Sequence, residues 1–179
     1  MARFFEKMRG GGQSPPRVSL AEIGWSWLGS VLGIGLVALL HYRLLDPRGF
    51  SLMLGSFGAS AVLLYGAMRS PLAQPRNLVG GHVLSALIGV SAQMLLGGEP
   101  VLAAALAVAT AIAVMHLSKT LHPPGGATAL IAVIGGPSIH QLGYLYALLP
   151  VAVGALAMLA VALLINNLAP ARRYPEFWW

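Results

Sequence analysis

Four apolar runs, each close to the length that crosses a bilayer as a helix, decide what this chain can become. Spanning roughly 30 Å of hydrocarbon takes about 20 helical residues, and the runs 21–42, 78–96, 101–117 and 143–166 answer to that requirement. Two weaker runs lie among them. One, 50–68, is long enough but rich in Gly and Ser; the other, 125–136, is too short to cross alone. A water-facing surface cannot be made from what remains. Only 9% of residues are charged and 57% are hydrophobic, where soluble domains carry about 25% charged residues. The reading is an all-α membrane protein, multi-pass, with no second soluble module.

The net charge of +6 does not point to nucleic acid, because the positive residues sit between apolar runs. There they act as orientation signals and as contacts to anionic lipid headgroups. There are no cysteines, which excludes disulfides and thiolate metal sites. The run from 21 follows a basic stretch with Arg3, Lys7, Arg9 and Arg17 and ends in His41-Tyr42-Arg43 rather than a small-residue cleavage site. An uncleaved first transmembrane helix is expected. Residues 1–20 are then a basic cytoplasmic segment, and 21–179 the transmembrane domain.

The two weak runs resemble each other. Gly58-Ala59-Ser60-Ala61-Val62-Leu63 aligns with Gly126-Ala127-Thr128-Ala129-Leu130-Ile131. Each copy lies between two convincing helices, which divides the chain into two helix–short helix–helix units, 21–97 and 98–168, followed by a short tail, 169–179. If all six segments cross with the N-terminus in the cytoplasm, nine basic residues fall inside and two, Arg43 and Arg48, outside. If the short runs are re-entrant, Arg43, Arg48, Arg69, Arg76 and Lys119 all fall outside. The positive-inside rule favours six crossings, and three per unit makes the repeats inverted. The short segments are then broken or half-helices.

Chemistry concentrates at His116-Leu117-Ser118-Lys119-Thr120-Leu121-His122-Pro123-Pro124-Gly125-Gly126-Ala127-Thr128. The prolines end one helix and start another. Gly125 and Gly126 admit close approach of a ligand, and a helix N-terminus with free N–H groups attracts anions. Thr128 adds a hydroxyl, and Ser56, Gly58 and Ser60 stand in the equivalent place of the first copy. Two such termini facing each other near the midplane make one site for a small anion. His122 and Lys119 supply charge, or His122 a proton, although Lys119 equally suits a loop lysine snorkelling to the interface. His82, inside a helix, reads as a packed, hydrogen-bonded side chain. A metal site from His82, His116 and His122 is conceivable, but no i, i+4 pair or nearby carboxylate supports it. No cofactor is expected. Glu22, Asp46 and Glu99 lie at segment ends, and no nucleophile–base pair stands out, so the chain does not read as an enzyme. Asn166 and Asn167 read as structural, and the glycines of the long runs as helix-packing positions.

The run His122-Pro123-Pro124-Gly125-Gly126-Ala127-Thr128 resembles the signature of the HPP family of integral membrane proteins. Gly55-Ser56-Phe57-Gly58-Ala59-Ser60, Ser70-Pro71-Leu72-Ala73-Gln74-Pro75-Arg76-Asn77 and Asn166-Asn167-Leu168 look like the same family. The resemblance implies a small transport protein described with about four helices, and nitrite transport in plant chloroplast members. The expectation is a transporter of a small inorganic anion, nitrite favoured over nitrate, formate or chloride, with a proton as candidate co-substrate. An anion channel, a non-transporting scaffold and a metal-using membrane enzyme are the rivals. A bacterial inner membrane, cytoplasmic termini and a homo-oligomer complete the expectation.

Overall fold

A computed structural model describes residues 4–5, 7–9, 12–45 and 53–179. Arg3, Asp46, Arg48 and the expected start of the second segment at Phe50 lie outside them. Among the described residues the chain is helical, without strands. Helix α1 covers Leu20–Leu40 and continues through a π-helical stretch, His41–Leu45. Helix α2, Met53–Ala61, likewise widens into a π turn, Val62–Gly66. After a 3-10 turn at Pro71–Ala73 come α3, Pro75–Leu96, and α4, Pro100–Leu117. Then follow α5, Pro123–Ile134, the single turn α6, Pro137–His140, and α7, Val153–Leu168, entered through Ala147–Ala152.

Four of these stretches are long and apolar enough to cross a membrane: Leu20–Arg43, Pro75–Leu96, Pro100–Leu117 and Ala147–Leu168. They are the four long runs of the sequence. Large apolar side chains such as Leu32, Leu39, Leu102, Leu106, Ile112, Leu156 and Leu164 are exposed on their outer faces. An apolar exterior is what a lipid-facing bundle requires, and a soluble one excludes.

Local chemistry explains where the helices start. Ser19 accepts the amide of Glu22 at 3.2 Å, capping α1 and placing a carboxylate in its positive first turn. Pro75, Pro100 and Pro123 each open a helix, where a missing N–H costs nothing. Small residues then decide the packing. Gly29 and Gly33 give α1 a flat strip against the ring of Tyr65, and a Cβ at Gly29 would lie 2.8 Å from that ring. A Cβ at Gly89 of α3 would lie 2.5 Å from the carbonyl oxygen of Ala129, so α3 and α5 touch backbone to backbone. Ala103, Ala107, Ala111 and Met115, one stripe of α4, are fully buried with Ala129 and Val133 of α5.

Hydrogen bonds at the two ends of the bundle fix its topology. Arg172, just past α7, reaches Glu22 and Ser26 at the start of α1 and the Tyr65 carbonyl at the end of α2. Tyr174 donates to Ala73 at 2.7 Å, and Asn77, at the start of α3, donates to Leu121 just ahead of α5. One end thus gathers the starts of α1, α3 and α5 with the ends of α2, α4 and α7. At the other end, Ser91 and Gln93 of α3 meet Tyr144 and His140, and His140 also meets Val133 at the end of α5. The described segments therefore alternate in direction along the bundle. At ~1.5 Å per residue, the 12 residues of α5 extend about 18 Å, and extended backbone at His122 precedes them.

Candidate functional site

The site is built where α5 begins. His122 is the residue before a proline pair and takes an extended conformation, φ −141° and ψ 103°, as a following proline demands. That turn drives its imidazole into the bundle, where it is fully buried. Its Nδ1 lies 2.8 Å from the Leu72 carbonyl and its Nε2 lies 2.9 Å from the hydroxyl of Ser60 on α2. Ser60 in turn lies 2.8 Å from Nε2 of His82 on α3, and His82 Nδ1 lies 2.7 Å from Thr128 Oγ1 on α5. The two imidazole rings stand edge to face with centroids 4.9 Å apart, and Phe57 packs 5.1 Å from His82. All four polar side chains are at 0% exposure. Burial at this level without partners is costly, and here each heteroatom has one.

The Leu72 carbonyl only accepts, which assigns the remaining hydrogens when both rings are neutral. His122 donates from Nδ1 and accepts at Nε2. Ser60 therefore donates to His122 and accepts from Nε2 of His82. His82 accepts at Nδ1 from the Thr128 hydroxyl. The result is one unbroken chain of donors running from Thr128 to Leu72.

The sequence expectations fare unevenly against this geometry. His122, Ser60 and Thr128 come together. Gly125 lies behind them, where a Cβ would meet Ser85 Oγ at 2.8 Å and the Met115 sulfur at 3.0 Å. Ser56, also buried, offers its carbonyl to Ser60 at 3.3 Å. Gly58 has nothing within 4 Å of where a Cβ would stand and takes no part. Gly126 faces outward into an apolar groove lined by Val108, Ile112, His116 and Leu130. Lys119 is exposed on the α4–α5 turn with φ 57°, away from the cluster.

Two expectations are corrected. First, no pair of helix N-termini faces each other. Because α2 and α5 run in opposite senses, the start of α5 meets Ser60 in the second half of the α2 segment. Second, the start of α5 presents fewer amides than a helix N-terminus ordinarily does. Pro123 and Pro124 have no N–H, and Gly125 donates to the His122 carbonyl at 2.8 Å. The donors of the site are side chains. His116 is exposed, and among the described residues no three His, Asp or Glu side chains converge, so the three-histidine site does not form.

His82 is the residue that sequence reasoning set aside. It is packed and hydrogen-bonded, as expected of it, but its partners are the candidate site itself. They stand 22 and 46 positions away, and nothing local announces them. Beside the cluster, the turn carrying Leu72 is held by the tail. Tyr174 donates to Ala73, and burial raises its phenol well above the ordinary range, so it stays a donor. Asn166, expected as structural, donates to the Leu64 carbonyl and accepts from Arg172.

A transmembrane protein of Dictyostelium discoideum is 51% identical to this chain over 180 residues, covering 99% of the chain and 58% of the relative. A second transmembrane protein of that organism is 45% identical over 182 residues, covering 99% and 64%. The chain thus spans less than two thirds of either relative. No solved structure matches. The family described as HPP, transmembrane region, matches residues 15–175, nearly the whole bundle and all four residues of the buried chain, and the protein belongs to that family.

Proposed function

We propose that this membrane protein transports a small inorganic anion, with nitrite the favoured solute. The observation that carries the proposal is the buried, carboxylate-free set of donors where α2, α3 and α5 meet. Hydroxyls of Ser60 and Thr128 and N–H groups of His82 and His122 are the groups a small anion needs in place of water. In this reading the solute inserts between α2 and α5 and exchanges its bonds for those that Ser60 and Thr128 now make to the rings. Gly125 and Ser56 shape the pocket wall, and the apolar interior around Phe57 and Met115 gives those donors their strength. The residues Arg17, Arg69, Arg76, Lys119, Arg172 and Arg173 gather at one end of the bundle, which we place on the cytoplasmic side. A bacterial inner membrane remains a proposal beside relatives that come from Dictyostelium discoideum.

The test is uptake of nitrite, nitrate, formate and chloride into proteoliposomes holding a pH-sensitive dye. Nitrite is expected to give the largest signal, and His122→Gln to reduce its initial rate at least about tenfold, the cost of one charge-assisted bond. No uptake of any of the four anions would overturn the proposal. A second reading, a non-transporting scaffold, is favoured by the mutual satisfaction of all four side chains. It expects no flux, and loss of stability as the main effect of His122→Gln.

A further inference from the structure

We infer that His82, Ser60 and His122 form a proton site that holds one proton at a time and moves it between the two rings through the serine hydroxyl. This deepens the transport proposal by naming how a proton accompanies the solute, and rests on that proposal for the coupling only.

The geometry supplies each protonation state with its partners. With both rings neutral, the donor chain runs one way, from Thr128 to Leu72, as assigned above. A proton from water taken up at Nδ1 of His82 leaves that atom a donor to Thr128 Oγ1. The Thr128 hydroxyl must then turn elsewhere, and the Pro124 carbonyl stands 3.4 Å away. A proton taken up at Nε2 of His122 likewise makes that atom a donor to Ser60. The Ser60 hydroxyl then turns to the Ser56 carbonyl, 3.3 Å away. Each singly protonated form thus needs one hydroxyl rotation onto a backbone acceptor already in reach. Serine at this position is also a two-way conductor. As the N–H bond of His82 Nε2 breaks and an O–H bond forms on Ser60, the original O–H bond of Ser60 breaks and an N–H bond forms on His122 Nε2. The charge changes rings, and His82 is left neutral with its proton on Nδ1.

Two protons at once are opposed. The ring centroids are 4.9 Å apart, which in partly screened protein makes the second proton bind on the order of 100-fold more weakly. Among the described residues, no counter-charge from the surrounding elements offsets this. Glu22 on α1 is paired with Arg172, Arg76 at the start of α3 lies against Phe177, and Glu99 precedes α4 at the far end. His116 on α4 is exposed. The titratable neighbour is Tyr146, whose hydroxyl donates to the Thr128 carbonyl at 3.0 Å. Among the described residues, no carboxylate, lysine or arginine hydrogen-bonds the pair.

The test is nitrogen NMR of the histidine-labelled full chain in lipid, with rings assigned through their sequence neighbours and without substitution. At neutral pH we expect opposite tautomers, the proton on Nε2 in His82 and on Nδ1 in His122. On acidification the pair is expected to take up one proton, with a second binding on the order of 100-fold more weakly. Finding His82 protonated at Nδ1 or His122 at Nε2 at neutral pH, or both rings charging together on acidification, would overturn the inference. The expected tautomers and single uptake in a protein whose proteoliposomes carry no anion would support the proton site and remove the transport reading. Anion flux with the two rings titrating independently would do the reverse.

Discussion

At the scale of single residues, Arg172 ties the end of the chain to its beginning. Its guanidinium, 1% exposed, bonds Glu22 Oε2 at 2.9 Å, the Glu22 carbonyl, Ser26, Asn166 and the Tyr65 carbonyl. Arg172→Ala leaves several of these without a partner, and a broken buried pair costs ~3–5 kcal/mol. Glu22 is 28% exposed and can be rewatered, which puts the loss near the lower figure. Arg172→Lys carries the charge but lacks the planar fork, and is expected to recover less than half of the loss. Thermal unfolding in detergent measures both. Single residues were also where the sequence was least legible. The proline pair announced His122, because two prolines after a histidine force its backbone open. His82 had no such neighbour, and its role emerges only when α2 and α5 close around it. Lys119 looked like part of the site because it stands three positions from His122, yet its left-handed turn carries it outward.

At the scale of elements, the helices were legible because apolar length and proline punctuation act locally. The expected runs 78–96 and 101–117 differ from α3 and α4 only at their starts, where Pro75 and Pro100 extend each helix. The packing of α3 on α5 was less legible, since contact between distant backbones leaves only glycines as its sign. It makes a sharp prediction. Gly89→Ala places a methyl 2.5 Å from the Ala129 carbonyl and 2.8 Å from its Cα, and backbone cannot step aside as a side chain can. The substitution is expected to destabilise by about 1–3 kcal/mol. Gly35→Ala, where nothing lies within 4 Å, is expected to gain up to about 1 kcal/mol through helix propensity. Equal melting temperatures for the two variants would refute the backbone contact.

At the scale of the whole molecule, alternation of six segments makes a prediction that four crossings with re-entrant loops do not share. The chain has no native cysteine, so single cysteines report cleanly. Introduced at exposed Ala67, Ser118 and Ala171, they are expected to react with an impermeant maleimide from one side of the membrane, and at Gly98 and Ser138 from the other. Labelling of Ser118→Cys from the same side as Ser138→Cys, or of Ala67→Cys from the side opposite Ala171→Cys, would refute the alternation. The clasp around Arg172 carries a further consequence, for the order of events during synthesis. Glu22 leaves the ribosome 150 residues before the cation that will hold it. Until then the first helix must keep that carboxylate at the water surface, tethered but uncommitted. The bundle becomes a closed object only when the chain returns to where it started.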